Sequence, residues 1–129
     1  MKNYIPSTLI FVFLMGCSLP AKRTPADTAK CGPEYVQSEL NGKAFCIGIQ
    51  RLENVKAHEA SDKCTDKKAS LCSLEQWQAA CKAGHISIGG WEWVRSLNQY
   101  TSIAGNNSCD DIGFGEMAHH AQLRCCISL

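Results

Sequence analysis

The first clear pattern of apolar and polar positions spans residues 34–49. Two apolar runs in this segment flank Asn41-Gly42, a pair of residues that tolerates positive φ and favours a tight turn between antiparallel strands. The segment is therefore predicted to form a β-hairpin. Cys31 and Cys46 flank the predicted turn, so a disulfide between them would clip the hairpin.

Two later segments have apolar residues at helical spacing. Asn54 is of a type that caps helices, and small residues follow it on one stripe: Ala57, Ala60 or Ser61, and Cys64. This pattern predicts a first helix through about Lys68, with its stripe facing the core. Ser73 and Gln76 form a capping box, and Gly84 is placed to end the second helix. The apolar face of this second helix consists of Leu74, Trp77 and Cys81.

Short strands are predicted in the last third of the chain. They are the WEWV segment at residues 91–94, residues 100–104, and a final strand at residues 123–129. Side chains of neighbouring residues in a strand point to opposite faces. Cys125 and Cys126 would therefore bond to two different elements, whereas a bridge between the two neighbours would be strained. The chain is thus predicted to contain two helices followed by a small sheet.

The N-terminus predicts export. Lys2 precedes an apolar run at residues 9–15, which has the length of a signal peptide and is too short to cross a bilayer of about 30 Å. The run ends in Leu14-Met15-Gly16-Cys17, which resembles the lipobox of bacterial lipoproteins. The resemblance implies cleavage after residue 16 and lipidation of Cys17, which would anchor the protein to a membrane. Ser18 after the cysteine favours the outer membrane, while ordinary secretion with a leftover thiol is the alternative.

The domain organisation follows from composition. Residues 1–16 are the predicted signal peptide, residues 17–30 are a lipidated cysteine with a Pro- and Ala-containing flexible tether, and residues 31–129 form one domain. The chain has thirteen basic and twelve acidic side chains, and removal of Lys2 with the signal leaves the mature protein formally neutral. This balance excludes the basic surface that nucleic-acid binding requires.

The chain has nine cysteines, and the predicted lipidation of Cys17 leaves eight, an even number, for the domain. In an exported chain of this size they predict four disulfides, although eight cysteines allow about 105 pairings. Zinc is the rival explanation, but the sequence contains no Cys-x₂-Cys pair and no Cys/His repeat. The eight are Cys31, Cys46, Cys64, Cys72, Cys81, Cys109, Cys125 and Cys126.

Several motifs in order resemble a known family. ASLCSLEQWQAAC at residues 69–81 is followed by WEWV, then NNSC at residues 106–109, then LRCC at residues 123–126. This series resembles the bacterial branch of the C-type-lectin-like fold, shared with formylglycine-generating/sulfatase-modifying-factor domains, and covers residues 55–129. Ser70 stands where that branch has Arg, Ser73 where it has Thr, and Leu123 where it has Phe. The resemblance implies an α+β domain with two helices packed on a small, mainly antiparallel sheet.

The resemblance also implies a disulfide pattern. A cysteine of the first helix bonds to the last strand in this fold, and a second bridge joins the last strands across the long loop region. Cys64 would then pair with Cys125 or Cys126, and Cys109 would pair with the other. Cys72 and Cys81 would form a further bridge.

Function has to be inferred from the site, because the C-type-lectin-like fold hosts sugar binding, protein binding and catalysis. The EPN, QPD and WND tripeptides of calcium-dependent lectins do not occur in this chain. A calcium site is nevertheless possible, because the long loop region contains oxygen ligands: Asn106, Asn107, Asp110, Asp111 and Glu116.

His119 and His120 are expected to be surface residues rather than metal ligands. Trp91 and Trp93 share one face of their predicted strand and are expected to pack in the core rather than stack on a sugar.

The main functional prediction is a non-catalytic binding module for a protein or glycan. Sulfatase-modifying relatives use a reactive cysteine pair in a much longer domain, whereas each cysteine here has a plausible structural partner. The first alternative is a structural or accessory envelope lipoprotein without a ligand of its own. A less favoured alternative is an enzyme similar to the sulfatase-modifying factors.

Residues 96–122 mix adaptable polar side chains with a few apolar ones, which is typical of binding loops. The candidate contact residues are Asn98, Gln99, Tyr100, Asn106, Asn107 and Phe114.

Overall fold

The computed structural model describes residues 30–96, 101–115 and 118–129. The predicted export signal, Cys17 and the tether as far as residue 29 lie outside this part of the chain. The helices of the described part are α1 (Ala57–Asp66) and α2 (Leu74–Lys82). Its strands are β1 (Tyr35–Leu40), β2 (Lys43–Gly48), β3 (Leu52–Val55), β4 (Ser70–Leu71), β5 (Glu92–Arg95), β6 (Thr101–Ala104), β7 (Ile112–Phe114), β8 (Ala121–Leu123) and β9 (Cys125–Ser128).

The strands form two sheets rather than the single small sheet that the sequence predicted. One has the order β1-β2-β9-β4, and the other has the order β3-β8-β5-β6-β7. All the strand pairs are antiparallel except β5 with β8. The predicted α+β class with two helices and mainly antiparallel strands is therefore confirmed.

The predicted β-hairpin is present as β1 and β2. Tyr35 pairs with Gly48 at one end and Leu40 with Lys43 at the other. Asn41 and Gly42 form the turn with φ values of 51° and 78°. This is the left-handed backbone that the Asn-Gly pair tolerates and that a right-twisted hairpin requires.

The first helix begins later than the sequence predicted. Asn54 does not cap it, because β3 continues through Val55, which pairs with Ala121 of β8. Lys56 is the cap residue, and its backbone N–H donates to the Glu59 carboxylate at 2.9 Å. The predicted core-facing stripe is otherwise correct, since Ala60 and Cys64 are fully buried.

The second helix matches its prediction at both ends. The Ser73 Oγ atom accepts the Gln76 N–H at 3.1 Å, and the Gln76 side chain accepts the Ser73 N–H at 3.0 Å. At the other end Gly84 has a φ of 74°, and its N–H donates to the Cys81 carbonyl. The helix presents Trp77 to the core, where its side chain is fully buried.

The predicted final strand is divided at Arg124, and this division produces the two sheets. Leu123 belongs to β8 in the five-stranded sheet, and Cys125 belongs to β9 in the four-stranded sheet. Arg124 therefore lies where the chain passes from one sheet to the other. Its side chain is 1% exposed, which is unusual for a permanently charged group.

The buried guanidinium of Arg124 holds the two sheets together. Its Nε atom donates to Glu92 Oε1 at 2.9 Å, and Glu92 lies in β5 of the five-stranded sheet. Its Nη1 atom donates to the carbonyls of Gly48 and Ile49 at the end of β2. Its Nη2 atom donates to the Ser87 carbonyl at 2.9 Å. One side chain thus satisfies backbone and carboxylate acceptors from both sheets and from the segment that follows α2.

Glu92 and Arg124 are the acidic residue of WEW and the arginine of LRCC, so the structure joins two motifs that lie far apart in the sequence. Glu92 is fully buried. Burial raises the pKa of its carboxyl above the ordinary value, while the positive charges of Arg124 and Arg51 act in the opposite direction. Burial likewise lowers the pKa of Arg124. The Arg124 charge therefore favours the ionised form of the buried Glu92 carboxyl, and that carboxylate in turn offsets the cost of burying the guanidinium.

The vicinal cysteines bond to two different elements, as predicted. Cys125 pairs with Cys64 of α1, with 5.3 Å between their Cα atoms. Cys126 pairs with Cys72 at the end of β4, with 4.9 Å between their Cα atoms. Cys125 packs in the core cluster around Trp93, whereas Cys126 packs in the cluster around Trp77. The alternation of side chains along β9 therefore fixes each cysteine to a separate part of the core.

Two of the pairings implied by the family resemblance are wrong. Cys109 pairs with Cys81 rather than with a residue of the last strand, and Cys72 pairs with Cys126 rather than with Cys81. A Cys72–Cys81 bridge is excluded by α2 itself, which places Cys81 roughly 12 Å along the helix axis from its cap. Disulfides require Cα atoms within about 7 Å. The predicted Cys31–Cys46 bridge is present and clips the hairpin.

Trp93 packs in the core as predicted. Its side chain is 1% exposed, and its Nε1 atom donates to the Val55 carbonyl at 2.8 Å. Trp91, which directly precedes β5, is partly buried against the same core cluster. These positions leave Trp93 unable to stack on a sugar.

Candidate functional site

The strongest candidate site is the surface formed by residues 105–114, which we call the β7 surface. It consists of the loop at residues 105–111 and strand β7. The Asp111 carboxylate organises the loop, since its Oδ2 atom accepts the Asn107 N–H at 2.7 Å and the Ser108 N–H at 3.2 Å. The Asp111 carbonyl also accepts the Gly105 N–H at 2.9 Å. The loop is therefore closed on itself by its own hydrogen bonds.

Helix α2 anchors this loop through three further contacts. Cys109 is bonded to Cys81, and its carbonyl accepts the Gln78 side-chain amide at 3.3 Å. Lys82 Nζ lies 2.9 Å from Asp110 Oδ1 in an exposed ion pair, which contributes little to stability. The disulfide and the amide contact are the main reasons why the loop is held against a regular element.

The base of the loop also rests directly on the core. Gly105 is buried with a φ of 84°, and a Cβ atom at this position would lie 2.5 Å from the Trp77 ring. Glycine is therefore required both for the backbone conformation and for the close approach of the loop to Trp77. The exposed residues that follow are built on a rigid support.

The exposed side chains of the β7 surface combine amides with apolar groups. Asn106 and Asn107 are exposed at the loop tip. Ile112 is 49% exposed and Phe114 is 80% exposed, and the two share one face of β7 because they are two residues apart. An apolar pair this open to solvent, on an ordered strand, is the kind of feature that marks an interaction site.

Strand β7 is an edge of the five-stranded sheet. It pairs with β6 through Ser102 and Phe114, Ile103 and Gly113, and Ala104 and Ile112. Edge strands are usually protected by Lys, Pro or a bulge, and the three residues of β7 carry neither Lys nor Pro. Among the described residues β7 thus has a single neighbouring strand, and it exposes the apolar side chains of Ile112 and Phe114.

The structure brings three of the six candidate contact residues together: Asn106, Asn107 and Phe114. The other three, Asn98, Gln99 and Tyr100, lie outside the described residues. Ile112 belongs to the same surface but was missed by the sequence analysis. The only signal in the sequence was that Ile112 lies two residues before Phe114. That spacing places the two side chains on one face only if the segment is known to be a strand.

The described residues contain no group of three or more His, Cys, Asp or Glu side chains placed to hold a metal ion. Among the predicted oxygen donors, Asp111 uses one carboxylate oxygen for loop N–H groups, and Asp110 is paired with Lys82. Glu116 lies outside the described residues. His119 and His120 are exposed, as predicted. All eight cysteines of the domain are in disulfides, so the domain has no thiol available as a nucleophile.

The four disulfides indicate an oxidising environment, either extracellular or in the cell envelope. No helix in residues 30–96, 101–115 and 118–129 has the length and apolar character needed to cross a membrane. Comparison with protein-family models, with curated proteins and with solved structures finds no match.

Proposed function

We propose that this protein is a lipid-anchored lipoprotein of the bacterial cell envelope whose domain, residues 31–129, is a C-type-lectin-like, non-catalytic binding module. Its ligand is a protein or a glycan, and its anchor is in the outer membrane. The exposed apolar pair of Ile112 and Phe114, beside a loop tied by the Cys81–Cys109 bridge, is the observation that supports binding.

Rigidity supports a binding role for the β7 surface. Binding normally reduces the conformational entropy of loops and side chains at the interface, which opposes association. This loop is already ordered by the Asp111 hydrogen bonds and by its disulfide to α2, so it loses less entropy on binding. Aromatic side chains supply large contact area, and amides supply adaptable hydrogen bonds. Phe114 with Asn106 and Asn107 provides both kinds of contact on one surface.

The support for a membrane anchor comes from the sequence and from the compartment that the disulfides indicate. A signal ending in Leu14-Met15-Gly16-Cys17 and a domain with four disulfides agree on export. The composition of residues 18–30 predicts a flexible tether, and a flexible chain of that length would reach roughly 20 Å, enough to lift the domain clear of lipid headgroups.

Cys17→Ser is expected to release the protein from membranes or to leave its precursor unprocessed, because the variant lacks the sulfur that would carry the lipid. Fractionation of cells into membrane and soluble parts, with the precursor and mature masses determined, measures this outcome. Thr24→Ala, in the predicted tether, serves as the matched control and is expected to behave as wild type. Equal membrane retention and processing in the Cys17 variant would disprove the lipid anchor.

The double variant Ile112→Ala/Phe114→Ala is expected to weaken ligand binding at least about tenfold, since a large exposed aromatic anchor is lost. Its stability should change by only about 0.5 kcal/mol because both side chains are already exposed. Binding is measured on a glycan array, with and without calcium, and on immobilised envelope proteins. Thermal unfolding measures the stability of each variant.

Leu129→Ala is the matched control, since Leu129 is 57% exposed and lies outside the β7 surface. Equal binding by the wild type, the double variant and the control would rule out the β7 surface as the ligand site. The absence of saturable binding to both glycans and envelope proteins would favour the alternative of a structural or accessory envelope lipoprotein.

A further inference from the structure

A second candidate site lies at the other edge of the five-stranded sheet. Strand β3 forms that edge, whereas β7 forms the first one. A cavity of about 390 Å³ is located where the base of the β1–β2 hairpin meets β3, and it is lined in part by Tyr35, Ile49, Arg51 and Leu52. Its volume falls in the range of small-molecule sites, about 300–1,000 Å³. The cavity is therefore independent of the β7 surface.

The walls of this cavity are held in place by contacts that exist without a ligand. Arg124 binds the carbonyls of Gly48 and Ile49 on one wall. Cys125, which also lines the cavity, is bonded to Cys64, and Leu52 pairs with Leu123 of β8. A ligand entering the cavity would meet a preformed site, which lowers the free-energy cost of binding.

The charged groups around the cavity carry a net positive charge. The charged residues that line the cavity are two cations, Arg51 and Lys67, and one carboxylate, Glu34. Arg51 also belongs to the interior group in which two guanidiniums, those of Arg51 and Arg124, are close to the carboxylate of Glu92. The lining has two cationic groups and one carboxylate, and the interior group likewise has two guanidiniums and one carboxylate. Each group therefore carries one excess positive charge, which favours an anion as the ligand.

The guanidinium of Arg51 occupies a defined position. It lies against the backbone of Gly89, where a Cβ atom would come within 2.2 Å of Arg51 Nη2. Its Nη1 atom is buried without a hydrogen-bond acceptor among the described residues. Buried donors are nearly always paired in folded proteins. Because Nη1 is buried it does not itself reach a ligand in the cavity, and Arg51 contributes a fixed positive charge beside the cavity instead.

Apolar groups form another part of the lining. Ile49 is 45% exposed, and Leu52 and the Tyr35 ring are partly buried against the core. Inorganic anions gain nothing from such walls, whereas a ligand with a hydrocarbon portion gains roughly 25 cal/mol for each Å² that it buries. The lining therefore favours an anion that carries an apolar group.

We propose that this cavity binds a small organic acid. Its carboxylate lies towards Arg51 and Lys67, and its hydrocarbon portion lies against Ile49 and Leu52. Arg51 supplies the fixed charge, and Lys67, which is exposed, adds a flexible one. Glu34 opposes binding by repelling the carboxylate.

Hexanoate is the probe, with hexanol and inorganic phosphate as matched controls that lack the charge and the hydrocarbon portion respectively. Each is titrated into the oxidised full chain, and binding is followed by the NMR shifts of the amides of Gly48 and Leu52. Hexanoate is expected to shift these amides saturably, with both controls at least about tenfold weaker. Tighter binding of phosphate than of hexanoate would overturn the organic-acid proposal.

Charge variants give effects of opposite sign. Arg51→Gln is expected to weaken hexanoate binding about tenfold and Lys67→Gln about threefold, whereas Glu34→Gln should strengthen it about threefold. Lys43→Gln and Glu39→Gln are matched controls, because both residues are exposed on the hairpin and do not line the cavity. Equal effects in the cavity variants and the controls, or an absence of saturable shifts, would overturn the proposal. None of these outcomes depends on the β7 surface.

Discussion

Removal of both disulfides that hold β9, by changing Cys64, Cys72, Cys125 and Cys126 to alanine, is expected to unfold the domain at room temperature. The two bridges close loops with sequence separations of 61 and 54 residues. In the chain-entropy model one of these bridges contributes about 4 kcal/mol. The other then closes an effective loop of only about ten residues through the first and adds about 3 kcal/mol, so together they contribute about 7 kcal/mol. Domains of this size have a total stability of only about 5–15 kcal/mol.

Near-UV and far-UV circular dichroism, with urea unfolding, measures this effect. Cys31→Ala/Cys46→Ala is the matched control, because it removes a bridge with a separation of only 15 residues that lies within one hairpin. The control is expected to lose about 3 kcal/mol and to remain folded. A cooperative urea transition in the quadruple variant, starting from a native near-UV spectrum, would contradict the prediction.

Peptide mapping of the oxidised wild type gives an independent measurement of the same bridges. It is expected to recover Cys64 linked to Cys125 and Cys72 linked to Cys126. A peptide in which Cys125 and Cys126 are bonded to each other would contradict both the strand geometry and the division of the core.

Arg124→Met is expected to destabilise the domain by at least about 5 kcal/mol. The change leaves the buried Glu92 carboxylate without its ion pair, which alone costs about 3–5 kcal/mol. It also removes the donor for the carbonyls of Gly48, Ile49 and Ser87, and each buried acceptor left unpaired adds about 1–3 kcal/mol. Arg95→Met is the matched control, since Arg95 is exposed at the end of the same strand as Glu92.

The loss of stability in Arg124→Met is expected to depend on pH. Burial already raises the folded-state pKa of Glu92, and loss of the Arg124 charge would raise it further. A carboxyl with a raised folded-state pKa destabilises the fold once the pH exceeds its unfolded pKa, because it then ionises more readily in the unfolded state. The unfolded-state contribution of Glu92 is the same in both proteins. The gap in unfolding free energy between variant and wild type, followed by urea unfolding from about pH 4 to about pH 9, should therefore widen once the pH exceeds the folded-state pKa of Glu92 in the wild type. A constant gap over this range would show that lost backbone hydrogen bonds, rather than the Glu92 charge, dominate the effect.

Local sequence signals predicted local structure well. Asn41-Gly42 predicted the hairpin turn, and Ser73 with Gln76 predicted the start of α2, because backbone conformation and capping depend on residues within a few positions. The adjacency of Cys125 and Cys126 predicted their separate partners, because strand geometry alone places neighbouring side chains on opposite faces. Asn54 was the exception. It is a good cap residue, but the pairing of Val55 with Ala121 keeps the chain extended past it.

The candidate site was predicted only in part. The polar composition of residues 96–122 pointed to a binding loop, and Asn106, Asn107 and Phe114 are exposed on the β7 surface. Ile112 was missed because it becomes part of that surface only when β7 is an edge strand. The cavity beside Arg51 was also missed, since its lining comes from the hairpin, β3, the end of α1 and β9. Segments this far apart in the chain carry no common local signal.

The sequence by itself determined the turns, the second helix, the parity of the cysteines and the alternation that separates Cys125 from Cys126, since each depends on covalent geometry or near neighbours. The tertiary structure alone decided the partners of Cys72, Cys81 and Cys109, because a disulfide requires two Cα atoms to meet in space. It also decided the role of Arg124. Only the break between β8 and β9 places this guanidinium between the sheets, where it binds Glu92 of one sheet and the Gly48 carbonyl at the end of β2 in the other.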